Sequence, residues 1–347
     1  MENILPQSNS YLMGHDSAVN MFLSAFKTGT LHNSWLISGP QGIGKATFAF
    51  KIARFLLSAD IDKKEEYNSI NVTENHPVFK LVSSNSHPDL KIIERDFIET
   101  DKKKVIKAIK DGEALDETEL QSLKKSSVIK VDDIRTVNEF LSKKSFDGNW
   151  RIVIIDSADD MNSNAANALL KVLEEPPYKS VLLLISHNPN KLLPTIKSRC
   201  AKINLSPLND DDVASLLRRY RPNLSEVQIR ELAKICSGSI GKAINYADND
   251  GLILYNSLQN LFFARAEFDI GKALELALAV SKDEQMWDLC QELIEKFVSD
   301  MFLSGEKIEE LGIAWDKVKN IFHETVNLNM DKRHAFITII NTICKAL

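Results

Sequence analysis

The sequence predicts an α/β domain on a largely parallel sheet, then a small helical domain and an all-α terminal domain. Three observations carry that expectation. A short apolar strand, Ser34–Ser38, runs directly into Gly39-Pro-Gln-Gly-Ile-Gly-Lys45, and Phe48, Ile52, Phe55 and Leu56 then recur at helical spacing. Two further apolar strands, Arg151–Asp156 and Val181–Ile185, bracket a helix over Ala165–Leu173, so strands and helices alternate. After Pro207 the period is helical throughout.

Taken in order, residues 15–27 read as a helix, with Ala18, Met21, Phe22, Ala25 and Phe26 on one side. Residues 60–130 are the least regular part; Asp89–Ile93 alternates as a strand would. The basic runs Lys102–Lys104 and Lys124–Lys125 read as solvated surface rather than phosphate ligands. A helix beginning near Asp132 or Asp133 turns Ile134, Val137, Phe140 and Leu141 inward. Pro176-Pro177 stops the helix over Ala165–Leu173, because proline lacks an amide hydrogen and clashes with the preceding turn. Asn209 or Asp210 caps a helix through Tyr220, Pro222 breaks it, and Ser225 caps another to Cys236. Gly238 is a C-cap before a third short helix. Two apolar stripes follow, Met286, Cys290, Leu293, Phe297 and Met301, then Ala335, Ile339, Ile343 and Ala346. The boundaries expected are 1–207, 208–250 and 251–347.

The 347 residues exceed what one core of roughly 250–300 residues holds. A hydrophobic content of 44% and a charged content of 26% are ordinary for a globular chain, which excludes wholesale disorder. The strongest apolar run has the length of a strand, so no membrane span is expected. Met1-Glu-Asn-Ile-Leu-Pro6 lacks the basic start and apolar stretch of a signal peptide. The four cysteines, Cys200, Cys236, Cys290 and Cys344, form no Cys-x-x-Cys pair, so reduced thiols in the cytoplasm are expected rather than disulfides or zinc. A net charge of −5 argues against a chain that coats nucleic acid alone.

The chemistry concentrates in Gly39-x-x-x-x-Gly44-Lys45. Gly39, Gly42 and Gly44 let backbone amides turn inward around phosphate oxygens; Lys45 meets the outer phosphates, and the helix start supplies its positive end. The residue after the lysine should carry the hydroxyl that holds Mg²⁺. Here it is Ala46, and Thr47 follows one position late, about 100° further round the helix. Phosphate binding survives that change; metal placement is weakened. Asp156, at the end of an apolar strand, stands where a second Mg²⁺-directed carboxylate belongs. Ser157 follows it, and a serine cannot orient and deprotonate water as a glutamate would.

Leu31-His-Asn-Ser-Trp-Leu-Ile-Ser-Gly-Pro40, Asn167-Ala-Leu-Leu-Lys-Val-Leu-Glu-Glu-Pro-Pro177 and Ser198-Arg-Cys200 follow one another along the chain. With these motifs the chain resembles the clamp-loader branch of the AAA+ ATPases. Leu12-Met-Gly-His15, His87-Pro-Asp89 and Gly238-Ser239 add to it, and the likeness runs from about 12 to 245. It implies a P-loop domain, a helical lid and an oligomerising collar, with the Met286 to Met301 stripe covered by sister subunits. It implies ATP or ADP at the loop, with a weakened Mg²⁺ site. It makes Arg199 an arginine finger directed at a neighbour's ATP, and places Asn188 in the first sensor segment, where it or His187 meets a phosphate. The second-sensor arginine is replaced by Gly241, with Lys242 offset by one. The family's four-cysteine zinc module is absent, since no cysteine precedes Cys200. The implied partners are ATPase (gamma/tau-like) and clamp-opening (delta-like) subunits, the sliding clamp and, through the complex, primed DNA. Loss of the cis machinery beside a retained Arg199 suggests a stator with little hydrolysis of its own. Two rivals are an active ATPase motor recruiting Asp159, and a DNA-binding module using Arg218, Arg219 and Arg221.

Overall fold

A computed structural model describes residues 4–111, 123, 125–143, 145, 150–263, 270–305 and 307–347. The chain divides into two compact units, Met1–Asp212 and Val213–Leu347. Lys124, in one of the expected basic runs, lies outside the described residues.

In the first unit, helix α1 (Asp16–Thr28) leads to β1 (Ser34–Ser38), the glycine loop and α2 (Lys45–Ser58). The segment expected to be irregular holds α3 (Pro77–Ser83), β2 (Leu90–Ile93) and α4 (Glu99–Asp111). Then come α5 (Val131–Ser142), β3 (Arg151–Ile155), α6 (Ser163–Glu174), β4 (Ser180–Ser186), the one-turn α7 (Pro194–Lys197) and β5 (Ala201–Asn204). The five strands are all parallel, in the order β2-β3-β4-β1-β5.

The apolar runs are continuous because both faces of the sheet are covered. Trp35, Ile37, Ile152, Ile154, Val181, Leu183 and Ile185 pack on one face with α1 and α2. The alternate residues Leu36, Val153, Ile155, Leu182 and Leu184 pack on the other with α5 and α6. A period of two therefore sorts each strand between two cores. Edge strand β5, with exposed Lys202 and Asn204, escapes the sequence reading because it is short and buries one residue of four.

Residues 4–15 lie across α2 and are fastened to it by buried cations. Arg54, only 1% exposed, donates to the carbonyls of Gln7 and Asn9 at 2.7 Å each and stacks on Phe79 at 4.6 Å. Lys51 donates to Ser10 O at 3.1 Å. The runs expected to be solvated make ion pairs: Lys102 with Asp96, Lys104 with Asp101 and Lys125 with Glu94.

The second unit continues α8 (Asp210–Tyr220) into α9 (Glu226–Ile235), α10 (Ile240–Asp248), α11 (Gly251–Phe263) and α12 (Ile270–Val280). It ends with α13 (Glu284–Ser304), α14 (Ile308–Asn327) and α15 (Lys332–Ala346). The packing corrects one expectation. Cys290, Leu293 and Phe297, the centre of the stripe assigned to sister subunits, are buried within this unit, and Phe297 stacks on Phe262 of α11 at 4.4 Å. An outward apolar face lies on α12. There Ala273, Ala277 and Val280 point inward, while Ile270, Leu274 and Leu278 are 66%, 52% and 59% exposed.

Candidate functional site

The loops at the carboxyl ends of β1, β3 and β4 gather at one end of the sheet, where ligands of parallel α/β sheets bind. Gly39, Gly42 and Gly44 have φ of 144°, 77° and 104°. A side chain at Gly39 would begin 2.3 Å from Leu205 O, so only glycine lets the loop pass that close to the strand extension beyond β5. The loop is braced from outside by buried His15, whose Nε2 lies 2.7 Å from Ile43 O. Lys45 opens α2 and is 3% exposed; its ammonium donates to Gly39 O at 2.7 Å and to Pro40 O. Burial pushes its pKa down to about 8, against the pull of Asp156 and Asp159. Ala46 packs on the core and Thr47 is buried, so a methyl group occupies the position of the Mg²⁺-directed hydroxyl. The glycines and lysine fit a polyphosphate; the metal half of the cradle is incomplete.

Asp156 follows β3 directly, and its backbone amide donates to Ile93 O at 2.8 Å. Burial raises its pKa; the Ser157 hydroxyl and Lys45 oppose the rise. Ser157 Oγ lies 3.3 Å from Asp156 Oδ1 and 2.8 Å from His187 Nε2. Burial lowers the His187 pKa, and Lys45 adds to that. His187 Nδ1 is a buried atom with no partner among the described residues. Ser157 Oγ bridges Asp156 and His187. Ser157 thus relays a hydrogen bond and does not act as a base.

Asp159 is the site residue whose role the sequence concealed. Its carboxylate accepts from Ser186 Oγ, from His187 N and, at 3.0 Å, from Asn188 N, tying the turn after β3 to the end of β4. That engagement counts against its recruitment as a catalytic acid or base. Asn188 is exposed, and its side-chain oxygen accepts from Asn190 N at 3.2 Å, so it caps its own turn.

Arg199 lies at the opposite, amino-terminal end of the strands. β5 pairs with β1 from Trp35–Ala201 to Ser38–Asn204, so Arg199 precedes the strand while the glycine loop follows its partner. Roughly 15–20 Å of strand separates the two levels, too far for Arg199 to reach the loop of its own chain. Arg199 Nη2 pairs with Glu174 Oε1 at 2.7 Å and Nη1 donates to Thr195 O at 3.0 Å.

The sequence model of the family described as "DNA polymerase III, delta subunit" matches residues 14–209, more than half of the chain. This chain belongs to that family. Its relatives include DNA polymerase III subunit delta' of Pseudomonas aeruginosa, 33% identical over 209 residues, 60% of this chain and 53% of that protein. They also include DNA polymerase III subunit gamma of Buchnera aphidicola (subsp. Schizaphis graminum), 23% identical over 317 residues, 90% of this chain and 74% of that one. The match thus spans about half the length of that delta' relative. Among solved structures, a gamma subunit-related protein of Thermotoga maritima covers 93% of this chain and 99% of its own, at 17% identity and a TM-score of 0.38. The chain is a member of the delta-prime clamp-loader family of DNA polymerase III, and its α/β unit is a five-stranded parallel sheet with a glycine-lysine loop after β1.

Other expected features of this clamp-loader subunit resolve as follows. Ser239 caps α10 by accepting from Lys242 N at 3.2 Å, Lys242 pairs with Glu292, and Gly241 has no side chain at the second-sensor position. Arg218 pairs with Glu226 through two 2.8 Å bonds and Arg221 with Asp248, which neutralises two members of the basic cluster offered for DNA. No group of three metal-ligating side chains occurs among the described residues. No described helix is long and apolar enough to cross a membrane.

Proposed function

We propose that this chain is a delta-prime-like stator of the clamp loader, supporting ATP-dependent loading of the sliding clamp onto primed DNA in the cytoplasm. The observation that carries the reading is the asymmetry of the sheet's two ends. One end has a phosphate loop with Ala46 in place of the Mg²⁺ hydroxyl and Ser157 in place of the water-orienting carboxylate. The other presents Arg199, 35% exposed. The loop holds ATP or ADP with weakened Mg²⁺, through Gly39, Gly42, Gly44 and Lys45, near Asp156 and Asn188. Arg199 acts in trans on the ATP of a gamma/tau-like neighbour, where a fixed guanidinium neutralises charge developing on the transferred phosphoryl group.

The chain beyond the α/β domain divides in this reading into a lid, 208–250, and an oligomerising collar, 251–347. A helix apolar on both faces is normally covered on both. The α12 face of Ile270, Leu274 and Leu278 is therefore the one that meets gamma/tau-like or delta-like sisters.

Reconstitution with gamma/tau-like and delta-like subunits tests the stator. Arg199→Ala is expected to lower DNA-stimulated ATPase at the adjoining site about 10³-fold or more. Lys45→Ala leaves that turnover within about twofold, since hydrolysis takes place in neighbours. The opposite pattern, a silent Arg199→Ala and an inactive Lys45→Ala, identifies a motor instead.

A further inference from the structure

The two most distinctive motifs of the chain, Leu173-Glu-Glu-Pro-Pro177 and Ser198-Arg-Cys200, lie 21 residues apart and form one device. Leu173 and Cys200 are both buried in the same apolar cluster beneath the sheet. Each anchors its motif, and the charged residue beside each emerges at the surface. Glu174 is the last residue of α6, and Glu175 closes that helix by donating to Lys171 O at 3.0 Å. Pro176-Pro177 prevents any extension, so the place where Glu174 leaves the helix is fixed by covalent geometry. Arg199 follows the one-turn helix α7, whose Ser198 Oγ bonds Thr195 O at 3.1 Å. The guanidinium is thereby held from two directions, by Glu174 at 2.7 Å and by the Thr195 carbonyl at 3.0 Å.

We propose that Glu174 is the positioning residue of Arg199: it aims the guanidinium toward the neighbouring subunit's nucleotide before the two subunits close. The proposal rests on the reading of Arg199 as a finger acting in trans. A guanidinium has five N–H donors in a rigid fork. Contacts with one carboxylate oxygen and one carbonyl leave donors for a phosphate while removing much of the rotation of a long side chain. An unrestrained arginine must lose that freedom on closure, and a small misplacement of a catalytic group costs up to about a hundredfold in rate. Both partners are part-exposed, 35% for Arg199 and 50% for Glu174, so the pair is worth little to folding and its removal leaves the core intact. The C-terminal end of α6 also favours a cation, since the helix dipole is negative there.

The test uses the reconstituted complex and measures steady-state ATPase, with an unchanged melting temperature as the control for folding. Glu174→Ala is expected to lower kcat about tenfold with KM for ATP unchanged, because the finger acts on the transition state and not on nucleotide binding. Glu174→Gln keeps an acceptor oxygen and recovers most of the rate. In the Arg199→Ala background, Glu174→Ala has no further effect, because a positioning residue without its client does nothing. Full activity of Glu174→Ala, or effects of the two substitutions that multiply, overturns the proposal while leaving Arg199 as the finger. A silent Arg199→Ala overturns the trans-finger reading itself, and the positioning role with it.

Discussion

Lys45 shows how one buried amine ties nucleotide binding to pH. Its pKa of about 8 lies below the usual 10.5 because burial penalises the ammonium. Between those values the unfolded chain carries a proton that the folded one lacks, so the cost of burying the charge is full below pH 8 and relieved as pH rises towards 10.5. Phosphate pulls the other way, since polyphosphate favours the charged amine. Binding of ATP or ADP is therefore expected to take up a proton above pH 8, and affinity falls by up to about tenfold per pH unit there. Calorimetry in buffers of different ionisation enthalpy measures this directly; binding with no proton uptake at pH 9 contradicts it. The loop lysine and glycines were legible because their spacing is dictated by phosphate geometry. The role of Asp159 was not, because its three donors come from Ser186, His187 and Asn188, a strand away, and no local pattern announces them.

At the scale of elements, strands β1, β3 and β4 and the helices between them were legible because each buries a periodic apolar face. The fastening of residues 4–15 to α2 was not, since Lys51 and Arg54 read as ordinary polar positions on an amphipathic helix. Arg54 is in fact buried, with its guanidinium on two backbone carbonyls and its pKa lowered to about 10 by burial. Arg54→Met removes both hydrogen bonds and also the desolvation of a buried charge, two changes that oppose each other. Global stability is expected to shift by about 1 kcal/mol or less. The local effect is larger. Ser8 and Asn9 amides, each bonded to Leu5 O at 3.1 Å, should exchange about tenfold faster by hydrogen-exchange mass spectrometry. Because the same strap ends in His15, which braces Ile43 of the glycine loop, nucleotide affinity should weaken alongside. Unaltered exchange in residues 7–10 refutes the fastening role.

For the whole molecule, the exposed face of α12 is the feature with the clearest consequence for assembly. Leu274→Asp with Leu278→Asp is expected to leave the melting temperature of the isolated chain within about 2 °C, since both residues face solvent there. The same pair of changes should abolish co-elution with gamma/tau-like subunits on gel filtration. Retention of a full-sized complex contradicts the collar assignment. The sequence stripe from Met286 to Met301 misled because periodicity marks an apolar face without saying which neighbour covers it, and here α11 does. Parallel strands add a direction to this picture. All five point the same way, so under the stator reading the first unit has a nucleotide end and an arginine end that cannot be exchanged. In that reading, subunits sharing the polarity join head to tail, each offering its arginine end to the next one's nucleotide end. A member that gives an arginine but cannot use one breaks the succession in a single place. Under the stator reading, this chain therefore sets where a chain of firing sites begins, and turns a closed circle of equivalent contacts into a line with a first position.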